Sequence, residues 1–172
     1  MSDHDQVQVP ARYARVNAWV ISVDTDAEVR FLTEVFAAIE TPGSRMPDPD
    51  GDIGHVEVEL DDSVIMLFDA KPGWPSTPSH LRVYVSSVEE SVDRAVAAGA
   101  RVVTRPTLLA FGERVARVRD PQGHLWWLQE RVEEVAPEEL VARFAEPAAF
   151  EAMGYVQVSL REEMSARNLA GE

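Results

Sequence analysis

Arg114–Val132, RVARVRDPQGHLWWLQERV, decides the fold. It reads as one β-hairpin. Arg114–Arg119 alternates in character, Asp120-Pro121-Gln122-Gly123 makes a four-residue turn, and Leu125–Val132 returns as a second strand. Proline pre-sets φ at the second turn position and glycine relieves crowding at the last, as a type I turn asks. Alternation along the return strand puts Leu125, Trp127 and Gln129 on one face and Trp126, Leu128 and Glu130 on the other. Adjacent tryptophans on opposite faces mean that both faces of this sheet meet something. Helices can cover one face. The other must close on a cavity, a second sheet or a partner.

Upstream of the hairpin, His80–Val85 (HLRVYV) is a strand, and Val88–Ala98 is a helix with Val88, Val92, Ala95 and Val96 inward. Gly99 is a natural stop for it. Arg101–Thr104 begins another strand, and Arg105–Gly112 is a proline-containing loop or distorted strand. The same order runs earlier in the chain. Val16–Val23 is a strand, and Asp24 or Asp26 caps a helix over Ala27–Ile39, where Val29, Leu32, Val35, Phe36 and Ile39 recur at helical spacing. Thr41-Pro42-Gly43 stops that helix, and Ser44–Asp52 is a loop or short irregular strand. Ile53–Leu60 (IGHVEVEL) alternates, Asp61-Asp62 turns, and Ser63–Asp69 (SVIMLFD) returns as an apolar strand. Laid on each other, the copies put Ala18 over His80 and Met66 over Trp127. A unit too small to close its own core implies that the two halves pack side by side.

These readings divide the chain into a mobile arm (1–15), a first module (16–70), a proline-rich linker (71–79), a second module (80–132) and a C-terminal extension (133–172), all in one structural domain. In the extension, Val132–Phe144 carries Pro137 at a plausible first helical position and continues as an acidic amphipathic helix. The stretch after Pro147 is helical again. Tyr155–Leu160 (YVQVSL) alternates like a strand, whereas LREEMSARNL resembles a helix. Pattern leaves both forms open there.

Composition removes several function classes. A chain of 172 residues with 45% hydrophobic content is an ordinary globular protein with room for a core. It has no run of about 18 apolar residues and no basic-then-apolar leader, so we expect a cytoplasmic protein with no membrane partner. Zero cysteines exclude disulfides, thiolate nucleophiles and thiolate metal sites. A net charge of −14 argues against nucleic acid, which requires a basic face. Lys71 is the one lysine, in a Pro/Gly-rich loop ill-suited to Schiff-base chemistry. No Ser-His-Asp constellation, phosphate-binding glycine loop or histidine-rich helix is present, so no catalytic residue is assigned.

Two polar stripes remain. His80, Arg82 and Tyr84 share one strand face, either lining a cavity or simply solvated. His55, Glu57 and Glu59 form the second, which also suits a strand edge in water. Trp74 and Phe111 stand in the two Pro/Gly-rich loops, where they could serve as lids or dimer contacts.

The paired strand-helix-strand-strand-strand order over Val16–Val132 resembles the vicinal oxygen chelate superfamily of glyoxalases, bleomycin-resistance proteins and extradiol dioxygenases. HVEVELDDSVIMLFD, VYVSSVEESVDRAVAAGA and RVARVRDPQGHLWWL followed by VEEVAPEEL resemble its PhnB-like branch in particular. The resemblance implies an α+β fold: two tandem βαβββ modules form a curved, mostly antiparallel half-barrel sheet with helices on the convex side, followed by a mainly helical extension. The concave side then holds the ligand, with Trp127 facing it and Trp126 facing the helices.

Metal-dependent members hold one divalent ion through four side chains, which carry over to Ala18, Met66, His80 and Trp127. Of these only His80 can ligate a hard divalent ion, and such a site takes about three protein ligands. We therefore expect no metal and no cofactor. The expected function is binding of a small organic molecule, of sequestration or resistance type, through His80, Arg82, Tyr84, Trp127, Gln129 and Met66, with His55 and Glu57. The resemblance also implies a homodimer, with the extension as its embrace. The rival is an enzyme (lyase, isomerase or dioxygenase) with a rearranged metal or acid–base site. A third class is a protein-interaction module that uses the acidic tail.

Overall fold

The computed structural model describes residues 8–170. The chain divides into two compact units, with the boundary between Ser79 and His80, where the proline-rich stretch ends.

In the first unit, β1 (Ala18–Ser22) leads into α1 (Thr25–Phe36). Asp24 caps this helix through its side chain, which accepts from Ala27 N at 2.8 Å. The short strands β2 (Ile39–Glu40) and β3 (Met46–Pro47) precede β4 (Ile53–Leu60) and β5 (Ser63–Asp69). β1 runs parallel to β5, and the remaining pairings are antiparallel. Val20, Val56, Val58 and Leu67 are fully buried, as are Leu32 and Val35 of α1, the helix that packs on this sheet.

The expected helix over Ala27–Ile39 ends earlier than its apolar period suggests. Ala37 takes the left-handed conformation, φ 58°, and its N–H together with that of Ala38 caps the carbonyls of Thr33 and Leu32. Ile39 therefore leaves the helical face, joins β2 and is 68% exposed.

The second unit repeats the order: β6 (His80–Tyr84), α2 (Val88–Ala97), β7 (Arg101–Leu108), β8 (Glu113–Arg119) and β9 (Leu125–Arg131). Its sheet runs β6-β9-β8-β7, with β6 parallel to β9 and the rest antiparallel. Arg105–Leu108 is a continuation of β7, with register irregularities, and not a loop. The α+β class with open, curved sheets and one helix laid on each module is as expected.

The repeat is sharper in space than in sequence. The last strand of each unit sends a carboxylate to the first N–H of that unit's own helix. Asp69 accepts from Thr25 N at 2.9 Å, and Glu130 accepts from Val88 N at 3.0 Å. Helix N-termini leave such N–H groups free and favour negative charge. The same pairing corrects the alignment of the halves. Trp19 lies opposite Met66 as Arg82 lies opposite Trp127, so Asn17, and not Ala18, is the counterpart of His80. A one-residue slip turns a side chain to the other face, and Ala18 faces with Val20, not with Met66.

From Pro137 on, the described extension is two helices joined by a two-residue turn: α3 (Pro137–Phe144) and α4 (Pro147–Ala170). The alternation in Tyr155–Leu160 is not that of a strand. The helix buries Val156 and Ser159, three apart, against β7 and β8. Pro137 stands at the helix start, and Val132–Ala136 is not helical.

Candidate ligand cavity

The hairpin closes at one residue more than a four-residue turn would give. Gly123 N donates to Asp120 O at 3.1 Å as the turn requires, and Asp120 N then pairs with His124 O at 3.1 Å. Gly123 sits at φ 94°, the left-handed position of a three-residue hairpin loop. Asp120 is buried and fixes this geometry with both oxygens, accepting from His124 N at 2.9 Å and from Trp126 Nε1 at 2.7 Å. The resulting register sets Arg117 opposite Trp127 and Val115 opposite Gln129.

Trp126 is 1% exposed and shares its face with Glu130, which reaches α2. The opposite face carries Arg82, Val115, Arg117, Trp127 and Gln129, and α4 lies over part of it. There Leu109, Val115 and Val156 form a small core with Phe111, Met153 and Tyr155 around it. Apolar positions of the extension thus have a place inside the second unit. Glu163 of α4 anchors the arrangement by pairing with Arg101 at 2.6 Å and with Arg119. Burial alone would raise the Glu163 pKa, but hydrogen bonds from Arg101 and Arg119 outweigh it and hold the group below its ordinary value.

Between this sheet face and α4 is a cavity of about 190 Å³. Its walls are mostly apolar, from Leu109, Phe111, Val115, Leu128, Met153 and Val156, with Arg82, Arg117, Trp127, Gln129 and Gln157 as its polar groups. Arg117 is 5% exposed, and its guanidinium carbon stands 3.9 Å from the centre of the Trp127 ring. Arg117 Nη1 donates to Thr104 Oγ1 at 3.0 Å and to the Val156 carbonyl at 2.7 Å. Burial pushes the Arg117 pKa down, yet a guanidinium stays charged over any ordinary pH.

Of the expected ligand residues, Arg82, Trp127 and Gln129 line the cavity. His80 and Tyr84 follow the same alternation but stand outside it; both are exposed, and Tyr84 Oη donates to Glu113 at 3.3 Å. Arg117 was missed although it lies in the quoted hairpin, because its partner across the strands depends on how the turn closes. Phe111 is a cavity wall, while Trp74 packs edge-on to Phe68 in the first unit with 6.1 Å between ring centres.

His55, Glu57 and Met66 belong to the first unit. Glu57 is not at a strand edge in water. It is 5% exposed, on a strand paired on both sides. Tyr13 Oη donates to it at 2.7 Å, His55 Nε2 lies 3.2 Å away, and Arg12 pairs with its second oxygen. Burial would raise the Glu57 pKa; the hydrogen bonds from Tyr13 and His55 and the charge of Arg12 more than reverse this. Arg12 and Tyr13 therefore tie the end of the expected arm to the sheet, while its residues 1–7 lie outside the described residues. Met66 faces Glu57 across the sheet and Trp19 on its other side. Lys71 is held by Asp48, Asp50 and Asp52, which raise its pKa above the ordinary amine value, so it is no nucleophile.

The family described as glyoxalase-like domain matches residues 18–128, which holds both sheets up to Leu128. The chain belongs to the glyoxalase-like domain family. An uncharacterized protein of Mycobacterium bovis is 33% identical over 130 residues, 69% of this chain and 84% of that one. The crystal structure of TioX from Micromonospora sp. ML1 is similar with a TM-score of 0.56 at 28% identity, over 69% of this chain and 98% of TioX. A glyoxalase/bleomycin resistance protein/dioxygenase family enzyme from Burkholderia phytofirmans PsJN shares the fold with a TM-score of 0.57 at 20% identity, over 67% of this chain and 96% of its own. Helices α3 and α4 follow the end of the glyoxalase-like match, so one wall of the cavity comes from outside it. Among the described residues, no helix is long and apolar enough to cross a membrane.

Proposed function

We propose that this glyoxalase-like protein binds a small organic molecule in the cavity beside Trp127 and holds it without turning it over. The observation that carries this is the chemistry of the walls. Among the described residues, no imidazole, carboxylate, hydroxyl or amine lines the cavity. General acid–base and nucleophilic catalysis need such groups within hydrogen-bond reach. His80 and Tyr84, on which an acid–base enzyme would rest, stand outside it.

The donor set also fails the divalent metal of the wider superfamily. At the positions its ligands would take, Asn17, Met66 and Trp127 accompany His80. Methionine and tryptophan are no ligands for a hard ion, and a divalent site takes about three donors. Glu57, opposite Met66 in the first unit, is already engaged by Arg12, Tyr13 and His55. Metal-free binding of sequestration type is the reading these residues favour. Within the family, the GHLWW strand and the VE-x-V-x-PEE start of the extension favour the PhnB-like branch. Val141, Phe144 and Phe150 stay 75%, 49% and 80% exposed on α3 and α4, which supports a homodimer formed through the extension.

Titration of Trp127→Ala against wild type tests the reading, with elemental analysis of both. The variant keeps its fold and loses about 1–3 kcal/mol of ligand binding, as expected for one aromatic contact. One equivalent of metal per chain, or consumption of the bound molecule, would overturn it.

A further inference from the structure

We infer that the ligand of this cavity is a small organic carboxylate on an apolar body, with its charge met by Arg117. The inference rests on the proposed reading of the cavity as a binding site and adds the chemical class. It begins with an imbalance of charge. The chain carries a net −14, yet the sheet face that bears the cavity holds Arg82, Arg101, Arg117, Arg119 and Arg131 with Glu113, and Glu163 reaches it from α4. Both acids are already engaged. Glu113 pairs with Arg131 at 3.2 Å and accepts from Tyr84, while Glu163 holds Arg101 and Arg119. Among the described residues, no carboxylate reaches ion-pair distance of Arg117 or Arg82.

Arg117 is the buried one. Its hydrogen-bond partners, Thr104 Oγ1 and the Val156 carbonyl, are neutral. A buried charge is ordinarily paired, because desolvation is costly without a counter-charge. Its Nε finds no acceptor, and the neighbouring Trp127 Nε1 is a second buried N–H without one. Among the described residues, the buried side-chain polar atoms of the second unit that lack a partner belong to Arg117, Arg119, Trp127 and Gln129, all on this one face. Arg117 lines the cavity with its charge uncompensated, and a charged acceptor gives a guanidinium the stronger hydrogen bond. The remaining walls are apolar, and about 190 Å³ lies below the roughly 300–1,000 Å³ of sites for drug-sized molecules. The body is therefore small and apolar.

Calorimetric titration of the full chain with matched pairs decides it: benzoate against benzamide, and phenylacetate against phenylacetamide, at low salt. The acids bind at least tenfold more tightly than the amides. Arg117→Gln erases that preference, while Arg117→Lys keeps part of it. Thermal melts show which variants fold. If Arg117→Gln does not, the acid-to-amide ratio of wild type and its fall in Arg117→Lys still decide. Acid and amide bound equally well would overturn the anion and leave the binding site standing. A preference that survives Arg117→Gln but falls in Arg82→Gln would overturn the assignment to Arg117. If neither acid nor amide binds at millimolar concentration, the inference and the binding reading fall together.

Discussion

The two units share one plan, a first strand parallel to the last and a carboxylate from the last strand on the N-terminus of the helix. Their non-helical faces have opposite character. In the first, the buried charge is an anion, Glu57, and the chain itself supplies Arg12, Tyr13 and His55 to meet it. In the second, the buried acids Glu113 and Glu163 have arginine partners, but the buried cation Arg117, enclosed beneath α4, has neutral hydrogen-bond partners. The difference teaches that the repeat conserves the face which packs on the helix and leaves the other face free to diverge. A self-neutralised cluster is stable as it stands. A charge left without its counter-ion costs stability, and the second unit supports that cost with the extra burial and ion pairs of α4.

The largest test of this contrast is at the helix-facing side, where the units should behave alike. Trp126→Ala empties a site that is 1% exposed and frees Asp120, and should cost about 3–5 kcal/mol in a denaturant titration. A harmless Trp126→Ala would mean that the faces are reversed.

Next in size is the clamp on α4. Glu163→Gln leaves Arg119 buried without its anion and should cost about 1–3 kcal/mol. The sign with pH follows from the direction of the shift. The native carboxyl is held below its ordinary 4.5, so its contribution is present above that pH and lost as pH falls through the lowered native value. Wild type and Glu163→Gln should therefore converge in stability below about pH 4.5 and separate above it. Equal melts at pH 7 would show that α4 is held by its apolar contacts alone.

Glu57→Gln should cost less, about 1–2 kcal/mol, because Arg12 is 43% exposed and recovers hydration when its partner is lost. Its dependence on pH has the same sign, since the Glu57 carboxyl is also held below 4.5. The two charge substitutions should differ in a further way: loss of Glu163 loosens α4 and exposes amides of β7 to hydrogen exchange, whereas loss of Glu57 leaves β7 protected. The smallest effect is expected for Trp74→Ala, which removes a half-exposed ring from the edge of Phe68 and should change stability by less than about 1 kcal/mol.

Much of the fold was legible because the strands that carry it alternate cleanly. Ile53–Leu60 and Ser63–Asp69 match β4 and β5 to the residue, since an alternating run, an Asp-Asp turn and an apolar run mark their ends, although burial itself does not alternate and Glu57 is buried between Val56 and Val58. The opposite faces of Trp126 and Trp127 followed from strand alternation. The extension was less legible. Val156 and Ser159 lie on one helical face, yet YVQVSL also alternates, and a six-residue window satisfies both periods.

What the sequence determined by itself was therefore local: the strands, the helix starts, the faces within each strand, and an acidic cysteine-free chemistry that excludes whole classes of function. What the tertiary structure decided was every relation across strands. The left-handed Gly123 and the two hydrogen bonds of Asp120 closed the hairpin one residue later than the turn residues suggest, and that single residue places Arg117 against Trp127. The slip between Ala18 and Asn17 has the same origin. Alternation tells which residues share a face, but the register that brings two faces into contact depends on backbone geometry at the turn and on what packs above it, and neither has a period to read.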